Sequence, residues 1–251
     1  MEMDRLCASV EEACLNAWPA LKEIFYDGWL IRLANGETRR TNSVNVIGRG
    51  VRALEEKIAH CGSIYEAHGL PLYFRVRSND DPMLEDFLEA NGFRAEDETR
   101  TLFMDFASTP PETSSRTVEI REGTPNAEWL DAHERFCGRP PPKDDTRRRL
   151  LDLVALPVAF AAARDDSGRI ISVAYGALHD RLVSLQWVAT DPAQRRKGLS
   201  RAVLSDLLLW AEKRGAAGAC LQVVAANRPA VKLYESMGFS KELYRYHYRV
   251  L

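Results

Sequence analysis

The run Val188-Ala189-Thr190-Asp191-Pro192-Ala193-Gln194-Arg195-Arg196-Lys197-Gly198-Leu199-Ser200 is a strand that breaks at a proline, passes through a basic turn with one glycine, and opens a helix. The start of a helix leaves about four backbone N–H groups without intrahelical acceptors and carries a partial positive charge, so an anion is favoured there. Arg195, Arg196 and Lys197 add cationic donors, and Gly198 lets a phosphate approach the backbone. On these residues alone a solvated basic turn before an ordinary helix is an equal alternative. Downstream, Asn227 stands where an amide can cap a helix, and Tyr234 carries a phenol that is protonated at neutral pH, with an ordinary pKa of ~10. Such a phenol can donate a proton to a leaving group, or simply pack its ring with the hydroxyl in water.

The elements that must hold these residues follow from periodicity. A helix is expected from about Arg195 to Lys213, with Leu199, Val203, Leu204 and Leu207 on its apolar face. Strands are predicted over 117–121, 158–163, 169–178, 182–190 and 217–224, helices over 126–136, 146–154 and 228–236, and one or two closing strands over 239–250. Asp165-Asp166-Ser167-Gly168 and His179-Asp180 read as hairpin turns, and Gly138 with Pro140-Pro141-Pro142 as the divider of two helices. Earlier in the chain, 28–33 and 41–47 read as strands and 51–67 as a helix.

The segment 109–116, rich in Thr, Pro, Glu and Ser, has the composition of a linker, dividing the chain into units of 1–108 and 117–251. The ends of the two units echo each other. Phe74-Arg75-Val76-Arg77, Pro82, Phe87 and Gly92-Phe93 run parallel to Leu221-Gln222-Val223-Val224, Pro229, Tyr234 and Gly238-Phe239. A duplicated α/β (α+β) fold is expected, with a mixed, mostly antiparallel central sheet flanked by helices.

In 251 residues, 45% hydrophobic content is enough for substantial cores. With 34 Lys and Arg against 36 Asp and Glu, the formal charge of -2 argues against a dedicated nucleic-acid partner. The five cysteines form no CxxC pair and leave an odd one over, which fits a reducing cytoplasm better than a disulfide framework, and no metal is expected. Charged residues interrupt the N-terminal apolar positions, so neither a signal peptide nor a membrane span is expected there.

Residues 117–251 resemble the GNAT superfamily of N-acetyltransferases. The resemblance rests on Arg195, Gly198 and Ser200, matching the family pattern of Gln or Arg, two residues, Gly, one residue, then Gly or Ala, with Asn227 and Tyr234-x-x-x-Gly238-Phe239 behind it. Ser200 departs from that pattern, though its side chain is small. The resemblance implies an acyl-CoA N-acyltransferase fold in which acetyl-CoA donates an acetyl group to a primary amine of a small molecule or protein, directly, in a ternary complex. It assigns the pantetheine arm to the backbone of Val188, Ala189 and Thr190, the pyrophosphate to Arg195, Arg196, Lys197, Gly198, Leu199 and Ser200, a further contact to Asn227, and the general acid to Tyr234. Residues 20–107 look like a truncated relative. The run Asp27 to Arg32, followed by Arg39-Arg40-Thr41-Asn42-Ser43-Val44-Asn45, is similar to the N-terminal part of a two-domain subgroup. That half has Val46-Ile47-Gly48-Arg49-Gly50 where the basic turn would stand and Phe87 where Tyr234 stands, so catalysis is expected in the second half only. Arg39, Arg40, Asn42, Ser43 and Asn45 are expected to be satisfied by turns and caps, with ligand binding as the alternative.

Acyl transfer also needs a neutral amine and a polarised carbonyl, and a backbone N–H near Val188 or Ala189 is the expected donor to that carbonyl. No general base is evident. The strand position that often carries a carboxylate in the family falls at Ser184, flanked by Gln186 and Trp187, none of which accepts a proton at neutral pH. Glu128, Asp131, His133 and Glu134 are expected as solvated helix charges, His179 as an exposed turn, Cys220 as apolar filler, and Arg228 as a surface arginine. Trp187 and Trp210 are expected in the core, with Trp29 and Trp129 lining a cleft. The missing carboxylate motivates a second reading, a non-catalytic acyl-CoA-binding sensor or scaffold. A nucleotide triphosphatase fails for want of Gly-x4-Gly-Lys-Ser/Thr. A monomer or homodimer is expected.

Overall fold

Val158–Arg164 and Ile170–His179 are apolar along nearly their whole length and are buried residue after residue, because helices cover both faces of the sheet they form. The computed structural model describes residues 2–138 and 144–251, so the Pro140-Pro141-Pro142 run lies outside the described residues. The first half comprises α1 (Glu2–Ala17), β1 (Lys22–Tyr26), β2 (Trp29–Leu33), β3 (Val44–Val46), α2 (Leu54–Ala67), β4 (Tyr73–Arg77), α3 (Pro82–Ala90) and β5 (Arg94–Asp105). The second comprises β6 (Val118–Glu122), α4 (Ala127–Cys137), α5 (Thr146–Asp152), β7 (Val158–Arg164), β8 (Ile170–His179), β9 (Leu182–Thr190), α6 (Leu199–Glu212), β10 (Gly218–Val224), α7 (Arg228–Ser236) and β11 (Lys241–Val250).

All eleven strands form one sheet in the order β1-β2-β3-β4-β11-β5-β10-β9-β8-β7-β6. Pairing is antiparallel except at β3–β4 and β9–β10. Those two exceptions occupy equivalent places. In each half a hairpin (β2–β3, β8–β9) leads through a helix (α2, α6) to a parallel neighbour (β4, β10), then through a second helix, a Gly-Phe pair and a last strand. The internal echo therefore corresponds to repeated topology.

The halves interlock at the centre. β4 and its successor β5 run in the same direction but are separated by one strand's width, and β11 fills that slot, antiparallel to both. Reciprocally, β5 lies between β10 and β11. Each half thus supplies the strand that the other lacks. Over this junction lies α1, whose Val10, Ala13 and Cys14 pack with Phe103 of β5 and Cys220 of β10. Its Glu11 is buried and forms a two-pronged ion pair with Arg75 of β4 while accepting from the Tyr244 hydroxyl of β11 at 2.6 Å.

Several boundaries differ from the sequence reading. The run 41–47 gives only the short β3, because Arg39–Thr41 form a 3-10 turn. Helix α1 and the polar edge strand β1 were not foreseen, since charges dilute their periodicity. α6 begins at Leu199 rather than Arg195, because Arg196 (φ 62°) and Gly198 (φ 78°) lie in the left-handed region, which a right-handed helix excludes. The closing segment is a single strand.

Candidate active site

β9 and β10 pair only from Leu182 to Ser184 against Gly218 to Cys220, and then separate. From Leu185 to Thr190 the β10-facing side of β9 has no strand beside it, although its other side stays paired with β8 as far as Ser172↔Thr190. Backbone groups on that open side can pair with an extended ligand, as an added strand would. Within the same stretch the β8–β9 register slips between Val173↔Ala189 and Tyr175↔Gln186, a β-bulge, with Trp187 at φ 53°. The bulge reverses the alternation of faces. Val188 packs against the core under α6, whereas Trp187 and Ala189 belong to the cluster on the opposite face. A left-handed tryptophan is costly and is held by its surroundings. Its ring stacks on His133 at 4.4 Å and meets Trp18 edge-on at 4.7 Å.

The basic turn follows β9. Asp191 caps the turn by accepting from Ala193 N–H at 3.0 Å. The first intrahelical bond of α6 runs from Ala202 N–H to Gly198 C=O, and among the described residues the N–H groups of Leu199, Ser200 and Arg201 have no backbone acceptor. Arg195, Arg196, Lys197 and Gly198 are exposed around them. No atom lies within 4 Å of the place where a Cβ on Gly198 would sit, so it is the positive φ that calls for glycine. Successive N–H groups flanking a left-handed residue form a concave anion cradle, here with three cations at its rim. Ser200, the departure from the family pattern, is tied to Thr190 by a 2.7 Å hydroxyl contact, and Thr190 in turn to Ser172 at 2.7 Å. That chain fastens the first turn of α6 to the end of β9.

Tyr234 lies on α7 in the same core cluster as Leu199 of α6, with Val188 packed against it. It is 8% exposed, and its ring meets Phe239 edge-on at 6.1 Å. Its hydroxyl has no hydrogen-bond partner among the described residues, and burial pushes its pKa up to about 12. The phenol is therefore neutral at physiological pH and free to donate. Asn227 caps α7, its side chain accepting from Ala230 N–H at 3.3 Å, and both it and Arg228 are exposed.

On the α1 face, Ser184 is fully buried, receives the Gln186 amide at 2.9 Å and donates to Cys14. No carboxylate touches it among the described residues. Gln186 accepts from Arg40 at 2.8 Å, a contact reaching across from the first half. The other polar residues of that half's run are used locally. Arg39 pairs with Glu96 and Asp97, Asn42 accepts from Ala34 and Gly36 N–H, and Asn45 donates to Ser43 C=O. Arg40 is the one that turns toward β9.

Several expectations need correction. His133 is buried rather than solvated, its ring stacked on Trp187 and near-parallel to that of Trp129. Glu134 is half-buried and engaged by Arg147, while Glu128 is an exposed helix charge, as expected, and pairs with Arg164. Trp29 is a core residue under Lys57 Nζ at 4.0 Å, whereas Trp129 is buried, donates to Ala161 C=O at 2.9 Å and lines a small surface hollow with Glu119 and Arg164. Trp187 is half-buried at the bulge, while Trp210 and Cys220 are buried as expected.

The first half carries its own anion at the equivalent place. Before α2, the N–H groups of Val51 and Arg52 donate to the Asp27 carboxylate at 3.0 Å, and Lys57 Nζ stands 3.3 Å from it. A Cβ on Gly50 would stand 2.1 Å from Asp27 Oδ2, so glycine is required for the carboxylate to fit. Asp27-Gly28 was visible in the sequence, but nothing local signals a contact 24 residues away.

A family model described as "Probable histone acetyltransferase Rv0428c C-terminal" matches residues 7–249. The chain is 26% identical over 246 residues to the "Uncharacterized N-acetyltransferase YobR" of Bacillus subtilis, covering 96% of this chain and 97% of that protein. A segment of 61 residues, 24% of this chain and 41% of the relative, is 46% identical to the "[Ribosomal protein bS18]-alanine N-acetyltransferase" of Escherichia coli K12. In fold, the chain is similar to a "GCN5-related N-acetyltransferase" of Kribbella flavida, with a TM-score of 0.69, 15% identity and coverage of 98% and 94%. Because the family match takes in both halves and the interlocked strands between them, the chain belongs to this GNAT acetyltransferase family and is an acyltransferase enzyme.

Proposed function

We propose that the enzyme moves an acetyl group from acetyl-CoA to a primary amine of a small molecule or protein, directly, in a ternary complex. The observation that carries this reading is an open strand edge that ends in an anion cradle, with a buried neutral phenol in the core cluster against which Val188 of that edge packs. Acetyl-CoA supplies the activated thioester. Arg195, Arg196, Lys197 and the N–H groups of Gly198, Leu199 and Ser200 hold its pyrophosphate, Val188, Ala189 and Thr190 pair with its pantetheine amides, and Asn227 adds a contact at the start of α7 while capping it. The amine nitrogen bonds to the acyl carbon as the carbon–sulfur bond breaks. Tyr234 gives its proton to the departing sulfur, and the amine's proton leaves to water, since Ser184 and Gln186 are not bases. We place the protein in the cytoplasm, as a monomer or homodimer. Its five cysteines are free, and among the described residues no helix is long and apolar enough to cross a membrane.

Tyr234→Phe tests the acid. CoA affinity by titration calorimetry is expected to stay within about twofold while kcat falls about 10²-fold, the scale of a lost general acid. An unchanged kcat would remove Tyr234 from the mechanism.

A further inference from the structure

A shallow cleft open to solvent, whose enclosed part of about 10 Å³ holds about one water, lies on the α1 face where β9 and β10 part, and its lining includes Cys14, Trp18, Arg32, Arg40, Arg75 and Gln222. Three arginines in one cleft would repel each other unless compensated, and two of them are. Arg75 is buried against Glu11. Arg32 is buried and compensated, pairing with Glu23 and donating to the carbonyls of Leu15, Trp18 and Arg40. Arg40 is different. Its partner is the neutral amide of Gln186, and among the described residues no carboxylate stands within ion-pairing distance of it. A half-buried guanidinium offers five donors in a planar fork suited to a carboxylate or phosphate, and here it lacks a counter-anion. The Arg32 bond to the Arg40 carbonyl, at 3.1 Å, fixes the backbone that presents it.

Resting on the reading of the splay as the place of transfer, we propose that Arg40 is a specificity-determining residue that binds an anionic group on the acceptor. The acceptor class is a small amine that also carries a carboxylate, its carboxylate held by Arg40 at the open mouth of this cleft while its amine faces the thioester. Gln186 and Gln222 flank that carboxylate with neutral amides. Among the described residues the one uncompensated charge in the cleft's lining is positive, so it opposes acceptors bearing an ammonium group alone and favours zwitterions. This gives the first half a role in the reaction although Asp27 fills its own anion position.

The test is binding, followed by tryptophan fluorescence, of β-alanine and γ-aminobutyrate against their decarboxylated counterparts ethylamine and n-propylamine, with 2-aminoethylphosphonate to separate carboxylate from phosphonate. Each probe is measured on the full chain with and without CoA. The wild type is expected to bind the amino acids at least tenfold more tightly than the plain amines. Arg40→Gln should bring that ratio to within about twofold and Arg40→Lys should retain part of it, with CoA affinity and melting temperature unchanged. Equal binding of amino acids and plain amines by the wild type would overturn the proposal, as would a preference that survives in Arg40→Gln. A stronger preference for the phosphonate would replace carboxylate as the recognised group. Loss of CoA binding in the wild type would instead refute the reading of the donor site, while the preference measured without CoA still decides the role of Arg40.

Discussion

At the scale of single residues, the chemistry divides between a residue named by the sequence and one placed by the fold. Tyr234 stood out from its spacing to Gly238-Phe239, and its burial now explains why its proton is held so firmly. A phenol with a pKa near 12 is in its donating form at every lower pH, so it imposes no loss of rate below about pH 11. With no base beside Ser184 among the described residues, the rise of kcat/KM with pH is expected to follow the pKa of the acceptor's own amine. Two acceptors differing in amine pKa are expected to shift the inflection by that difference. An inflection near pH 7 that ignores the acceptor would reveal a base on the enzyme. The contact of Arg40 with Gln186 could not have been read from the chain, because the partners lie 146 positions apart and each is an ordinary polar residue in its own segment. The same holds for Asp27, whose carboxylate occupies the first half's anion position.

Among the elements, the strand-turn-helix unit β9–α6 was legible because it combines a proline, three cations and a glycine within a few residues, all of them local signals. Its bulge was not. A bulge depends on the register with β8, and Trp187 in a left-handed conformation contradicts what its own type prefers. Gly198→Ala places a Cβ where nothing blocks it but where φ is 78°, so the substitution acts through backbone strain of about 1–2 kcal/mol. The expected result is a melting temperature lowered by a few degrees and CoA affinity weakened about tenfold as the cradle shifts, read by calorimetry. Unaltered affinity would show that the left-handed turn does not shape the anion site. Helix α1, hidden in the sequence by its charges, is anchored through one of them. Burial alone would raise the pKa of Glu11, yet the Arg75 charge and its hydrogen bonds outweigh that and hold it at about 2. A carboxylate depressed in the folded state stabilises fully above its unfolded pKa, and that contribution is lost as pH falls from about 4.5 toward 2. Glu11→Gln leaves Arg75 buried without a counter-charge and is expected to cost about 3–5 kcal/mol in urea unfolding at pH 7. The deficit relative to wild type should shrink as the pH approaches 2, whereas a constant deficit would indicate a packing defect.

For the whole molecule, the repeat was visible in the matching Gly-Phe ends, but the interlocking was not, because strand order is a long-range property that no local pattern encodes. The proposed division at 109–116 separates two segments, each with a gap between its last two strands that only the other fills. Residues 117–251 expressed alone are therefore expected to aggregate, and co-expression with 1–116 to yield a soluble pair by size-exclusion chromatography. A folded, monomeric 117–251 would contradict that dependence. The same architecture places both halves around one splay and implies one donor site per chain. That site is proposed to be the cradle before α6, and a crystal structure with acetyl-CoA decides it. One molecule per chain is expected, with its pyrophosphate on the N–H groups of Gly198 to Ser200 and its thioester between Val188 and Tyr234. Acetyl-CoA bound before α2 in place of Asp27, or with its thioester turned away from the splay, would contradict it.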